Sequence, residues 1–309
     1  MKTFDDRRKE ADQIIEGFLR EEKGYDRTLI EAMNYSIRAG GKRLRPVLLQ
    51  SFGRMYGADE KRLHPFMAAI EMIHTYSLVH DDLPAMDNDM LRRGKPTTHA
   101  RFGEAMAILA GDALLNEAFT IMSDETKRTL FAEDGPLLDE CFGEVYATSF
   151  ISKYAGVDGM AGGQSLDVET DKLGRDVTGE EIHYIYLNKT SALLEASMLA
   201  GAVLGGSGVG KDISLIASAG KDIGFAFQIR DDILDIEGDE SIIGKETGQD
   251  KRNGKSTFVS IHGIEESEAF IRDYTEEAKT HISNLENVKD EEERIFVLDL
   301  FDALTERNH

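Results

Sequence analysis

Two groups of carboxylates carry the chemistry available to this chain. In the first, Asp81, Asp82 and Asp87 follow an apolar run over 67–79 and precede Arg92 and Arg93. Carboxylates are rarely buried without a partner, so a cluster leaving an apolar helix needs a counter-charge. Adjacent acids with arginines a few residues on suit a polyphosphate: the acids hold Mg²⁺, and Mg²⁺ and arginine hold the phosphates. The plainer alternative for this stretch is a solvated helix end with turn-forming Asp and Pro. In the second group, Asp231, Asp232 and Asp235 sit in an otherwise apolar stretch over 225–235. Asp231 and Asp235 are four apart and share a helix face, so the two can grip one metal, or a metal and its waters. Like charges so placed repel unless a cation intervenes. One such cluster in an acidic protein is unremarkable; two, each with aromatic and aliphatic neighbours, are hard to dismiss.

The basic residues are grouped as well. Over 40–46, Gly-Gly-Lys-Arg-Leu-Arg-Pro places Lys42, Arg43 and Arg45 in a flexible turn at a helix start, where free backbone N–H groups also favour anions. Lys189-Thr190 interrupts a helical run, and Lys245 and Lys255 lie in the loop after the second acid cluster. Each alone reads as a solvated surface residue. Together they offset two diphosphates with Mg²⁺. The chain needs such local cations, because 36 basic against 58 acidic residues leave a net charge of −22. That balance argues against nucleic acid or an anionic membrane as the main partner.

Two glycine stretches imitate a nucleotide-binding loop. Gly205 to Lys211 fits G-x-x-x-x-G-K, but Asp212 follows where Ser or Thr would hold Mg²⁺, and a helical run precedes it rather than a strand. Before Gly254-Lys255-Ser256, the upstream Gly248 is one residue too far away. The glycines at 156, 159, 162 and 163 read as a helix break or a close packing contact.

Around these residues the chain reads as helix. Apolar residues recur at helical spacing over 5–22, 26–38, 46–56, 64–79, 104–122, 137–154, 178–204 and 213–236. Clean two-residue alternation is absent. With five prolines and no linker or repeat, residues 1–309 read as one all-α domain, a bundle of ten or more helices, with 265–307 as acidic peripheral helices. The first residues are polar, so no signal peptide is expected, and no apolar run reaches the roughly 18 residues of a membrane span. A single cysteine, Cys141, excludes an intrachain disulfide and a cysteine-based zinc site, and fits a cytoplasmic location.

These motifs together resemble the trans-isoprenyl diphosphate synthases, and within them the bacterial farnesyl diphosphate synthase group. Residues 80–97 are similar to the family's first aspartate-rich motif and 227–235 to its second. The blocks at 40–46, Gly163-Gln164 with Asp167, Lys189-Thr190 and 255–257 agree in order, over roughly residues 30–260. The resemblance implies an all-α bundle around a deep central cavity, usually a homodimer. It implies that Asp81, Asp82 and Asp87 bind two Mg²⁺ and that Asp231 with Asp235 binds a third. The allylic diphosphate would be held with help from Arg92, Lys189, Lys245 and Lys255. Isopentenyl diphosphate would be held by Lys42, Arg45, His74 and Arg93. Lys189, Thr190 and Gln228 form the expected catalytic group, with Thr190 and Gln228 helping to stabilise a carbocation. The implied reaction ionises the allylic diphosphate and adds isopentenyl diphosphate, with the proton lost to the departed diphosphate and water excluded.

Farnesyl diphosphate is the implied product. Tyr76 and Ser77 stand where the family sets chain length, and Tyr76 lies roughly 7 Å up the helix from Asp81 at 1.5 Å per residue. A longer, geranylgeranyl product is the alternative, as is a non-catalytic subunit of a heteromeric synthase, though such subunits usually lose an Asp motif. The chain departs from the family pattern at Met90, at Gln249 and at Arg230, where a neutral residue is usual; Arg230 is placed to alter metal affinity or substrate preference.

One geometric difficulty is visible beforehand. Residues six apart on a regular helix point about 120° apart, so Asp81 and Asp87 cannot share a face of a straight helix. Pro84 lies between them, and proline inside a helix kinks or ends it. The expectation is a break at 83–85 that swings Asp87 back.

Overall fold

Polar residues that satisfy free backbone groups set several helix starts. Thr3 and Asp6 form a reciprocal capping box at the start of α1 (Phe4–Glu16), and Asp59 accepts from the Lys61 N–H at the start of α4 (Glu60–Asp81). Between them lie α2 (Arg27–Arg38) and α3 (Leu44–Met55). The computed structural model describes residues 2–133, 135, 137–173, 177–206, 210–237 and 257–306. The chain continues through α5 (Thr98–Phe102), α6 (Glu104–Leu130), α7 (Leu138–Ala155), α8 (Met160–Leu173) and α9 (Gly179–Ile185). A π-helical segment, Tyr186–Ser191, joins α9 to α10 (Ala192–Leu204) without a break. Then follow α11 (Lys211–Glu237), α12 (Phe258–His262), α13 (Ile264–Ser283) and α14 (Glu291–Thr305).

The centre is α10, whose thirteen residues are all buried. It packs on α3, α7 and α11, while α4 lies along α6. A helix apolar all round must be central, because no side of it can face water. A second, smaller core joins Ile185, Phe225, Ile229 and Ile233 to Phe258 and Ile271, behind the second acid cluster. The C-terminal helices are amphipathic: α13 buries Ile271 and Ile282, and α14 buries Val297 and Phe301.

The structure departs from the sequence reading in three places. The helix over 160–173 is additional, because its Gly162-Gly163 pair reads as a breaker. A two-stranded antiparallel ribbon, β1 (Leu91–Arg92) with β2 (Lys95–Pro96), appears where no strand is expected; two residues are too few to show alternation. Finally, among the described residues one helix, α6, is long and apolar enough to cross a membrane by length and composition. Asp112 and Glu117 interrupt its apolar run, which is why no uninterrupted stretch stands out in the sequence. Elsewhere the reading holds: Lys211 pairs with Glu286 at 2.8 Å, and Asp212 accepts from the Glu286 and Asn287 N–H groups, so these two residues tie α11 to the segment before α14 and serve no phosphate loop.

Candidate active site

The helix carrying the first acids stops where Pro84 requires. α4 ends at Asp81, and Leu83–Asp87 form an irregular turn. In it the Met86 and Asn88 N–H groups donate to the Leu83 carbonyl, and the Asp87 N–H donates back to the Asp81 carbonyl at 2.9 Å. Asp87 is thereby returned to Asp81, as the sequence demands. The Asp81 carboxylate accepts from Gln164 Nε2 at 2.6 Å. Burial pushes its pKa up to about 6; Lys189 opposes this, whereas the charges of Asp87 and Asp167 add to it. Asp82 is buried and ion-paired with Arg92, Nη2 to Oδ1 at 2.6 Å.

Beside these acids lies a concentration of positive charge. The hairpin turn Arg93-Gly94, with Arg93 at φ 53°, lays the Arg93 guanidinium against Gly41, where a Cβ would stand 2.7 Å from Nη1. This joins the 40–46 block to the first acid motif. Arg45, from the first turn of α3, keeps its buried Nε without a hydrogen-bond partner. Burial brings the Arg45 pKa down to about 10, although Glu71 and Asp231 both pull the other way. His74 of α4 is held well below its ordinary pKa, first by burial and then by Arg45, Arg93, Arg92 and Arg43, so it stands neutral among them. Lys42 lies over the Phe227 ring of α11 at 5.7 Å. Arg43 departs from its expected place among the anion-facing cations. It is buried in a structural lock with Asp12, Glu71 and the Ile37 carbonyl.

The second acid helix, α11, packs on the π-helical segment. Lys189 on the π-helical segment pairs with Asp167 of α8 at 2.6 Å. This closeness needs Gly163: a Cβ there would strike the Lys189 amide nitrogen and stand 2.8 Å from the Asn188 carbonyl carbon. Thr190 Oγ1 donates to Gln228 Oε1 at 2.7 Å, and Gln228 Nε2 donates to Asp232 Oδ1 at 3.1 Å. The Tyr186 hydroxyl donates to Asp232 Oδ2 and accepts from the Phe258 N–H at 3.0 Å. Asp231 and Asp235 are half-buried one turn apart on α11, with Asp231 close enough to act on Arg45. The π bulge breaks the helical register at Lys189-Thr190, a frequent mark of functional sites.

The structure brings together Asp81, Asp87, Arg92, Arg93, Arg45, His74 and Lys189, and separately Thr190 with Gln228. Lys245, Lys255 and Gln249 lie outside the described residues. Tyr76 is half-buried and meets His80 edge-on at 5.8 Å, while Ser77 donates to the His74 carbonyl. Met90 is exposed. Arg230 does not serve the metal side: it forks onto Glu268 at 2.7 and 2.9 Å and donates to the Thr305 carbonyl, binding α11 to the C-terminal helices. Sequence reasoning missed the roles of Tyr186 and Asp232. The Gln228/Asp232 spacing of four was the available signal.

The donor set fits Mg²⁺. Hard carboxylate oxygens suit that ion, and Asp81, held up to about 6 beside two further acids, is a carboxyl that a cation would relieve. Among the described residues no three His, Cys, Asp or Glu side chains close on one point unaided, since Asp82 and Asp81 are engaged by Arg92 and Gln164.

Known proteins share both sequence and shape. The polyprenyl synthetase family profile matches residues 26–292. Farnesyl diphosphate synthase of Bacillus subtilis (strain 168) is 42% identical over 282 residues, covering 91% of this chain and 90% of that protein. Geranylgeranyl diphosphate synthase of Cyanophora paradoxa is 40% identical over 280 residues, 90% of this chain and 89% of that protein. Among solved structures, the Helicobacter pylori geranyltransferase complexed with magnesium and isoprenyl diphosphate has a TM-score of 0.83 at 26% identity, covering 98% of this chain and 97% of that one.

Proposed function

This chain belongs to the polyprenyl synthetase family, and we propose that it joins dimethylallyl or geranyl diphosphate head to tail with isopentenyl diphosphate to give farnesyl diphosphate. It is a prenyltransferase. One observation carries the assignment: the acid group at the end of α4 stands beside a separate group of arginines on α3 and the ribbon. Two diphosphates thus have two differently built seats.

Asp81, Asp82 and Asp87 would hold two Mg²⁺, and Asp231 with Asp235 a third. Bound Mg²⁺ neutralises a diphosphate leaving group and eases its departure. Lys189 and Arg92, resting on Asp167 and Asp82, are the cations for the allylic diphosphate. Arg45, Arg93 and Lys42, with neutral His74 as a hydrogen-bonding group, receive isopentenyl diphosphate. Holding both substrates makes the condensation effectively unimolecular. The Thr190 and Gln228 oxygens provide the negative ends of dipoles for the developing cation. The proton leaves to the departed diphosphate, so no side-chain base is needed. Tyr76 closes the product space and favours a fifteen-carbon chain; the Cyanophora relative is the reason to keep a longer product as the alternative.

A homodimer is part of this proposal. Ile108 and Leu109 on α6, and Phe142, Val145 and Tyr146 on α7, are exposed apolar side chains on neighbouring helices. Such a surface suits a second copy better than water. Phe142→Asp should yield monomers by sedimentation.

Incubation of purified protein with dimethylallyl and isopentenyl diphosphates, with and without Mg²⁺, tests the assignment by product mass. Farnesyl diphosphate formed only with Mg²⁺ is expected. No Mg²⁺-dependent elongation would overturn it.

A further inference from the structure

Thr190 and Gln228 each have polar atoms that hydrogen-bond in more than one sense. A hydroxyl donates or accepts, and an amide presents either oxygen or NH₂ by a half-turn. The buried groups around them remove that freedom. Asp232 is 5% exposed and accepts from both sides: Tyr186 Oη–H at one oxygen and Gln228 Nε2–H at the other. A carboxylate accepts only, so Gln228 must turn its NH₂ to Asp232 and its oxygen to Thr190. Thr190 must then donate its one proton to Gln228 Oε1 at 2.7 Å. Its lone pairs are left facing away from Gln228. The far end of the chain is fixed too, because the Phe258 N–H fills an acceptor site of the Tyr186 oxygen at 3.0 Å and leaves that proton for Asp232.

We propose that Asp232 is a positioning residue that sets the direction of the Thr190 hydroxyl, with Tyr186 anchoring its second oxygen, so that a developing carbocation meets oxygen lone pairs rather than a proton. This rests on the reading of Thr190 as a cation-facing group. Asp232 therefore differs in role from Asp231 and Asp235, although the three stand together in sequence. Tyr186 is placed for the work by the π bulge: the Ser191 hydroxyl donates to the Tyr186 carbonyl at 3.1 Å across the widened turn, and the ring packs against Phe225.

The test is a double-mutant cycle on steady-state kinetics. Thr190→Val examines the underlying reading, and should lower kcat by about tenfold, the size of one well-placed hydrogen-bonding group. Tyr186→Phe leaves Asp232 an acceptor and Thr190 a donor, so it is the control and should keep kcat within about twofold. Asp232→Asn is the decisive variant. It puts an NH₂ where an oxygen faced Gln228, which turns the amide and makes Thr190 accept. It should match Thr190→Val in kcat with KM for both substrates within about twofold and the Mg²⁺ requirement unchanged, and Asp232→Asn/Thr190→Val should be no slower than Thr190→Val alone. If Thr190→Val has full kcat, the reading of Thr190 fails. If Thr190→Val is impaired but Asp232→Asn keeps full kcat, or the two losses multiply, or Asp232→Asn raises the Mg²⁺ requirement as a ligand loss would, the positioning role is overturned. Should Asp232→Asn fail to fold, Gln228→Met decides: it removes the acceptor that directs the Thr190 proton and should match Thr190→Val in kcat, and full kcat overturns the role.

Discussion

The backbone N–H of Asp87 donates to the carbonyl of Asp81, 2.9 Å away, across the turn that Pro84 forces. This single bond reverses a chain that would otherwise carry Asp87 a third of a turn around a helix. Pro84→Ala removes the obstacle to continuing α4 and so should weaken Mg²⁺ binding. A rise of about tenfold or more in half-saturating Mg²⁺ is expected, the size found for groups that orient metal ligands. Activity titrations with Mg²⁺ on the variant check this, and an unchanged requirement would mean that Asp87 needs no such turn.

The pH dependence follows from Asp81, whose pKa is pushed up to about 6. Between its ordinary value and about 6, the folded chain keeps a proton that the unfolded chain has released. Stability without metal therefore falls as pH rises through that window, from about 4 to about 6. Mg²⁺ competes with the same proton, so its affinity should weaken below about pH 6, by up to about tenfold per unit for one proton. Thermal melts with and without Mg²⁺ should show a larger stabilisation by the ion at about pH 7.5 than at about pH 5. Equal stabilisation at both would contradict the link.

Product length depends on Tyr76. Tyr76→Ala removes a half-buried ring that packs on His80 and on the main core. The variant should make products longer than farnesyl diphosphate, read by mass spectrometry. A product still limited to fifteen carbons would assign Tyr76 to packing alone.

Gly163 tests the seating of Lys189. Gly163→Ala would push the π-helical segment off α8, because the new methyl would overlap backbone rather than a flexible side-chain end. Overpacking of this kind destabilises by about 1–3 kcal/mol. A displacement of catalytic groups by ~1 Å should lower kcat by about a hundredfold. Melting curves and turnover of the one variant measure both; loss of stability with full kcat would show that Lys189 and Thr190 are not held by this contact.

The sequence by itself determined the chemistry and much of its local geometry. Two acid clusters, their arginines and the break at Pro84 are local patterns, set by residue type, helical period and the missing proline N–H. The all-α class was legible for the same reason: helical periodicity repeats within each segment. Only the tertiary structure decided which of several similar charges does what. Arg43 and Arg45 read alike in the turn over 40–46, and Arg230 reads as a neighbour of the metal acids; folding buries Arg43 against Asp12 and Glu71, turns Arg230 to Glu268, and leaves the Arg45 Nε unpartnered within reach of the Asp231 charge. Likewise, Asp232 parts from Asp231 through Tyr186, which lies 46 residues away. Partners so distant in sequence leave no periodic trace. They meet only when α8, the π bulge and α11 pack together, and it is that packing which turns a list of charged residues into a site.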